Sequence, residues 1–309
     1  MDIDMVYLWV DGSDPKWVEK RNACIGKPTD ELENCKGRYA DNDELKYSLR
    51  SVEKYAPWIR KIFIVTDNQV PKWLDTTNPR IRIVDHTEIM PPESLPCFNS
   101  TALEHQFHKI PGLSEYFIYG NDDTFINQPV TPETFFGKDN FPIIRLNYKF
   151  CRKYFVWFKL NVLGQTINSY ARIIHNSALL VEKKFGKYYS GRNHHNIDAF
   201  IKSGYVFTRQ LFDGELKATL RNHKRSENDI HRHIYSYMAL ATNCGHLRYV
   251  TQRTSFRLPI HKRELYKKLL KYKPILFCMN DSQFSNDDDR EYANAFLSEY
   301  FPEKSQFEK

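Results

Sequence analysis

Five short runs that read as strands, each ending in acidic or amide side chains, constrain this chain more than anything else in its sequence. Asp4 to Val10 runs into Asp11-Gly12-Ser13-Asp14-Pro15, and Lys61 to Thr66 into Asp67. Arg80 to Val84 runs into Asp85-His86, Glu115 to Tyr119 into Gly120-Asn121-Asp122-Asp123, and Pro274 to Cys278 into Met279-Asn280-Asp281. Lys61 to Thr66, Glu115 to Tyr119 and Pro274 to Cys278 read as buried strands. Helical stretches alternate with the first four of the five runs, which predicts an α/β fold with a mostly parallel, Rossmann-like sheet flanked by helices. Ligands of such sheets bind beyond the carboxyl ends of the strands, where these carboxylates fall.

After a short helix expected to begin over Trp17 to Asn22, a helix over 43–56 carries a second acidic group. Asp41, Asn42, Asp43 and Glu44 precede Leu45, Leu49, Val52 and Ala56, an apolar stripe at helical spacing. Asp41 or Asn42 is expected to cap this helix, with Glu44 completing a capping box. The same carboxylates could instead serve acid–base or metal chemistry on the rim of a cleft. After Tyr119, the paired Asp122 and Asp123 are suited to Mg²⁺ with a diphosphate, which takes one or two carboxylates and fills its other positions with water and phosphate oxygens. Asn280 and Asp281 are candidates to assist. Gly12 allows close backbone approach to a ligand, and Trp9 is either a stacking platform or a core residue.

The second half is less regular. A strand is expected over Pro142 to Leu146, and helices over Ser100 to Ile110, within Lys159 to Ile174, over Asp229 to Leu240, over Ile260 to Lys273 and over Asn286 to Tyr300. His105 and His108 lie one turn apart without a third ligand nearby, so packing or surface roles are expected. His194 and His195 are placed at the start of a helix beginning near Ile197, where a histidine tends to stay neutral and able to act as a base. Residues 1–309 are read as a single catalytic domain. It has an α/β nucleotide-sugar core over 1–150, a helical lid or acceptor region over 151–273, and a return to the core over 274–309.

Composition narrows the function classes. A net charge of +7 suits an anionic ligand, an acidic polymer or a membrane surface. No run approaches the ~20 apolar residues of a membrane span, and no basic region followed by an apolar run marks a signal peptide. The six cysteines lack metal-site spacing, which fits unpaired thiols in a reducing cytoplasm. A Cys24–Cys35 disulfide is possible on spacing alone but not favoured there. GxGxxG and GxxxxGK[ST] are absent, which removes the main support for dinucleotide oxidoreductases and P-loop NTPases.

Four stretches taken together resemble the Stealth family of sugar-phosphate transferases. They are VYLWVDGSDP (6–15), the block from Arg38 to Phe136 that includes RYADNDELKYSLRS and FIYGNDDTFIN, HHNIDAF with KRSENDIHRHIYSYMAL, and FCMNDSQFSNDDD through FPEKSQFE. The resemblance implies a GT-A-like core. It also implies transfer of a sugar 1-phosphate from a UDP-sugar, here a UDP-N-acetylhexosamine, to a hydroxyl of a growing capsule polysaccharide, releasing UMP. By the same resemblance Asp41, His195 and Arg225 are catalytic, with Arg221 as a rival to Arg225. Trp9, Val10, Asp11, Gly12, Ser13 and Asp14 would face the nucleotide. Asp122, Asp123, Asn280 and Asp281 would hold Mg²⁺ or Mn²⁺. The expected partners are a UDP-sugar, an anionic capsule polysaccharide acceptor and, peripherally, the bacterial inner membrane. No nucleic acid is expected. Two other readings stand beside this one: a metal-dependent glycosyltransferase releasing UDP, and a non-catalytic module binding anionic polymer through the basic helix at 261–273.

Overall fold

A computed structural model describes residues 1–26 and 41–309. Strands β1 (Ile3–Leu8), β2 (Ile62–Thr66), β3 (Ile81–Asp85) and β4 (Tyr116–Asn121) form the central sheet with β8 (Asp198–Ile201), in the order β3-β2-β1-β4-β8. The first four are mutually parallel, as the alternation of strands with helices predicts, and β8 joins antiparallel to β4. The register sets Leu8 opposite both Val65 and Asn121, so the carboxyl ends of β1, β2 and β4 share one edge.

Side-chain alternation along these strands feeds two cores. Val6, Phe63, Val65, Phe117 and Tyr119 face the packed helices α6 (Ser169–Phe185), α7 (Lys202–Leu211), α8 (Asp213–Leu220) and α9 (His233–Ala241). Met5, Tyr7, Ile62, Ile64 and Ile118 face α2 (Glu44–Tyr55), whose predicted stripe Leu45, Leu49, Val52 and Ala56 is fully buried. A third core lies between α2, α10 (Arg263–Tyr272), α11 (Asp287–Tyr300) and a small sheet. That sheet joins β5 (Thr124–Ile126) to β11 (Leu276–Asn280) and β10 (Ser255–Pro259). The last strand therefore returns beside the central sheet rather than within it, pairing antiparallel with β5 immediately after the Asp122-Asp123 turn. The remaining strands are β6 (Ile143–Asn147), β7 (Arg192–Asn193) and β9 (His246–Tyr249), which form a second three-stranded sheet.

Several boundaries differ from expectation for identifiable reasons. Helix α2 begins at Glu44, with Asp43 as its N-cap in the left-handed region at φ 63° and no side-chain cap. Neither Asp41 nor Asn42 is the cap, although Glu44 does reach back to accept the Asn42 N–H at 2.7 Å. His194 and His195 enter a strand rather than a helix, because 198–201 pairs with β4 and α7 starts only at Lys202. The helix expected over 100–110 divides into α4 (Ser100–Glu104) and a separate turn at Phe107–Lys109. His105 is a packing residue, bonded to Tyr235 Oη at 2.9 Å and to the Ile230 carbonyl at 2.6 Å. Helices α1 (Pro15–Ile25) and α3 (His86–Ile89) follow β1 and β3, and α5 (Arg152–Asn161) precedes α6. Cys24, Cys97, Cys151, Cys244 and Cys278 are free thiols, and Cys35 lies outside the described residues.

Candidate active site

The carboxyl edge of the central sheet opens into a cleft of about 220 Å³. Trp9 and Val10 line it from just beyond β1, Asn121 and Asp122 from the end of β4 and the turn after it, Ser100 from the start of α4, and Arg225 from the loop after α8. The predicted loop 11–14 is held in place by its own polar groups. Asp14 N-caps α1 by accepting the Lys16 N–H at 3.0 Å. Asp11 accepts the Ser13 N–H and hydroxyl at 2.9 and 2.6 Å. Gln69, on the loop after β2, bonds the Asp11 backbone in both directions at 3.0 and 2.9 Å. Gln69 carried no signal in the sequence. Its role depends on the pairing that sets β1 beside β2.

Beside the cleft, four carboxylates from two distant segments converge. Asp122 is pushed well above the usual carboxylate range, first by burial and then by the charges of Asp123, Glu44 and Asp41. Burial raises Glu44 to about 7, and Asp41 adds to the shift. Asp41 is also raised, by desolvation and then by the charges of Asp43 and Asp11, while the Asp43 N–H it accepts at 2.9 Å pulls the other way. Glu44 reads as a cap in sequence. The DNDE cluster was the signal that it could do more.

The serines of α2 explain why these segments meet. Ser48 Oγ donates to the Thr124 carbonyl at 2.6 Å and contacts Tyr7 Oη at 2.7 Å. Ser51 Oγ accepts the Ile126 N–H at 3.1 Å. These buried bonds fix the helix against β5, which places its acidic N-terminus next to the Asp122-Asp123 turn. Gly120 makes the turn possible: a Cβ there would lie 2.4 Å from Thr124 Oγ1 and 3.0 Å from Ile197 Cγ1.

His195 projects from the loop before β8 with φ 52°, and its Nε2 lies 3.5 Å from Asp123 Oδ2. Its neighbour His194 is buried and structural. His194 Nδ1 contacts Ser255 Oγ at 2.5 Å, and its Nε2 lies 3.3 Å from Asp198. Asp198 in turn faces Arg232 at 3.4 Å, and Arg232 pairs with Glu104 at 2.9 Å. This buried ion network holds the loop that presents His195. Arg225 is exposed and donates to Ser100 Oγ at 2.6 Å. Arg221 caps the end of α8 and does not line the cleft.

The remaining predicted ligands have separate fates. Asn280 Nδ2 donates to Asp123 Oδ2 at 3.1 Å, so it supports that carboxylate. Asp281 is taken by Arg290 in a two-pronged ion pair at 2.7 and 3.2 Å. Asp123 Oδ1 is buried and lacks a hydrogen-bond partner. An orphaned carboxylate oxygen amid three other acidic groups is an environment that a divalent cation fits, since it would relieve both the missing partner and the repulsion. Among the described residues, no three His, Cys, Asp or Glu side chains already stand in ligand geometry. The protein's share would therefore be one or two carboxylates. On the cleft floor, His86 is held neutral by burial, its pKa drawn down to about 4. Burial pushes the Cys97 thiol up to about 12, which removes it as a nucleophile.

The family model "Stealth protein CR1, conserved region 1" matches residues 1–28, and "Stealth protein CR2, conserved region 2" matches residues 38–144. A capsular polysaccharide phosphotransferase of Haemophilus influenzae is 33% identical over 97% of this chain and 84% of its own. An exopolysaccharide phosphotransferase of Streptomyces coelicolor is 33% identical over 99% of this chain and 51% of its own. One from Lactiplantibacillus plantarum is 49% identical over 46% of this chain and 41% of its own. The chain thus spans about half the length, or less, of several relatives it matches. Among solved structures, the galactosyltransferase LgtC in complex with donor and acceptor sugar analogues aligns at TM-score 0.45 and 11% identity, over 97% of this chain and 95% of that one. The two conserved-region matches and the near full-length similarity to the Haemophilus influenzae phosphotransferase establish that this chain belongs to the Stealth family.

Proposed function

We propose that the chain transfers a sugar 1-phosphate, N-acetylhexosamine 1-phosphate in our reading, from a UDP-sugar to a hydroxyl of a capsule polysaccharide. The observation that carries this is the convergence of Asp41, Glu44, Asp122 and Asp123 with His195 beside a cleft whose other wall offers Arg225. Phosphoryl transfer asks mainly for positioning and charge neutralisation, and Arg225 together with a cation held by the carboxylates would supply the second. The family's named phosphotransferases support the reaction class.

In this reaction the acceptor oxygen forms a bond to the sugar-linked phosphorus. The bond from that phosphorus to the bridging oxygen breaks, and UMP leaves with the electron pair. The hydroxyl proton passes to Asp41 or His195, the two proton acceptors beside the cleft. Desolvation, by raising its pKa, makes Asp41 a better base. Asp123 holds His195 in place through Nε2. Arg225 can grip the transferring phosphate with two parallel N–H groups. Asp122 and Asp123 would hold Mg²⁺ or Mn²⁺, which supplies charge neutralisation of the diphosphate. Trp9 and the 10–14 loop are the nucleotide wall.

The test is product identity. Wild-type protein, a panel of UDP-sugars, Mg²⁺ and short capsule oligosaccharides are followed by ³¹P NMR. UMP with a new phosphodiester resonance is the expected result, absent from Asp41→Asn. Release of UDP would replace this reading with glycosyl transfer.

A further inference from the structure

The chain carries a second concentration of positive charge that the reaction above does not use. From Asn140 to Val181 there is no Asp or Glu, while Arg145, Lys149, Arg152, Lys153, Lys159 and Arg172 fall within it. Four cations line a cavity of about 350 Å³ beneath α5: Lys149, Arg152, Lys159 and Arg192. Phe150 and Phe155 form part of its wall, and none of its lining side chains is a carboxylate.

Two of these cations are positioned as a built site. Arg152 is 6% exposed. Its Nη2 donates to the Ala171 carbonyl at 2.9 Å, yet its Nε and Nη1 are buried without partners. Arg192 Nε is likewise buried and unpartnered. Two like charges side by side with unused donors cost free energy unless an anion joins them. Burial and the Arg192 charge together pull Arg152 below its ordinary pKa, which reports that stress. Arg152 is also the first residue of α5, whose N-cap Cys151 makes no side-chain bond, so the helix end adds its own positive field.

We infer that the cavity under α5 is a binding site for a phosphate group, separate from the candidate active site. Paired guanidinium forks match the planar spread of phosphodiester oxygens, and the flanking phenyl faces suit the apolar faces of the sugars such a group links. Tyr170, beside Ala171 of the cavity wall, feels the charges of both Arg225 and Arg192. A polymer whose end sits at Arg225 would set an earlier phosphodiester at Arg152 and Arg192. This choice of polymer as the source rests on the proposed function. The phosphate chemistry does not.

Titration calorimetry on the whole chain, without donor, tests the inference. The probes are poly(glycerol phosphate), vesicles of phosphatidylcholine with phosphatidylglycerol, and polyglutamate as a carboxylate control. Arg192→Gln and the Lys149→Gln/Lys159→Gln double variant leave Arg152 in place, and thermal melts confirm their fold. Poly(glycerol phosphate) is expected to bind more tightly than polyglutamate, and each variant to weaken it about tenfold or more. Asp41→Asn should bind like wild type, so a failure of the transferase reading would leave this result intact. If only the anionic vesicles bind, and the same variants abolish it, the phosphate belongs to a lipid headgroup and the site stands. Unchanged affinity in both variants, no binding to either phosphate probe, or equal binding to polyglutamate overturns it.

Discussion

At the scale of single residues, the site's chemistry is set by crowding. Asp41→Asn and His195→Ala should each lower the rate of transfer, with the residue that takes the proton costing ~10²–10⁴-fold. Steady-state kinetics with pH profiles will separate them, because only loss of the true base removes the acidic limb. Arg225→Lys keeps the charge but loses the planar fork. A fall of about 10²-fold in kcat with little change in donor affinity is expected. Glu44 links the site to stability. Its folded pKa of about 7 lies above its ordinary value of 4.5, so the folded state holds the proton more tightly. Stability from this group is complete below pH 4.5, falls as pH rises towards 7, and is lost above it, a swing of about 3 kcal/mol. Melting temperatures between pH 5 and pH 8 should show that decline without added cation. Glu44→Gln should flatten it, and Mg²⁺ should reduce it.

At the scale of elements, two contacts decide whether the carboxylates meet. Ser51 Oγ satisfies the buried Ile126 amide, so Ser51→Ala leaves that N–H alone and should cost about 1–3 kcal/mol in urea unfolding. Faster hydrogen exchange at Ile126 would confirm the cause. Gly120→Ala drives a methyl group into Thr124 and Ile197, costing about 1–3 kcal/mol of stability. Activity should fall further than stability does, because the residue that must shift carries the Asp122-Asp123 turn. Activity retained at the wild-type level would show that this turn tolerates displacement. The element whose role sequence periodicity missed is β8. Its four residues pair with β4 and turn His195 towards Asp123, whereas the local sequence reads as a helix entry.

For the whole molecule, the C-terminal segment closes the fold. Phe307 is fully buried in the core beneath α2, and its carbonyl accepts the Asp75 N–H at 2.8 Å. Glu308 forms a two-pronged pair with Arg50 at 2.8 and 2.7 Å. Phe307→Ala should cost about 3–5 kcal/mol, measured by chemical denaturation. The loss should appear as weaker global stability rather than a selective loss of catalysis, because the segment buttresses the back of α2, away from its acidic end. A purely local fraying of 301–309 in hydrogen exchange, with the core unchanged, would contradict that.

Much of this protein is determined by its sequence alone, for a local reason. Unalternating apolar runs such as 62–66 and 116–119 have only the middle of a sheet in which to bury both faces, and the stripe of α2 has only that sheet to cover it. The mostly parallel sheet, the acidic strand ends and the family motifs were all legible on that basis. Tertiary structure decided which acids act together. Asp41 and Asp122 lie 81 positions apart, and no periodicity reports their mutual charge. Asp281, equivalent in sequence to the other strand-end acids, is consumed by Arg290, while Glu44 is drawn into the carboxylate group. The two arginines under α5 come from separate segments and meet only because β7 pairs with β6. Strand and helix formation depend on neighbours in the chain. The protonation and pairing of a buried charge depend on neighbours in space, which the folded molecule alone supplies.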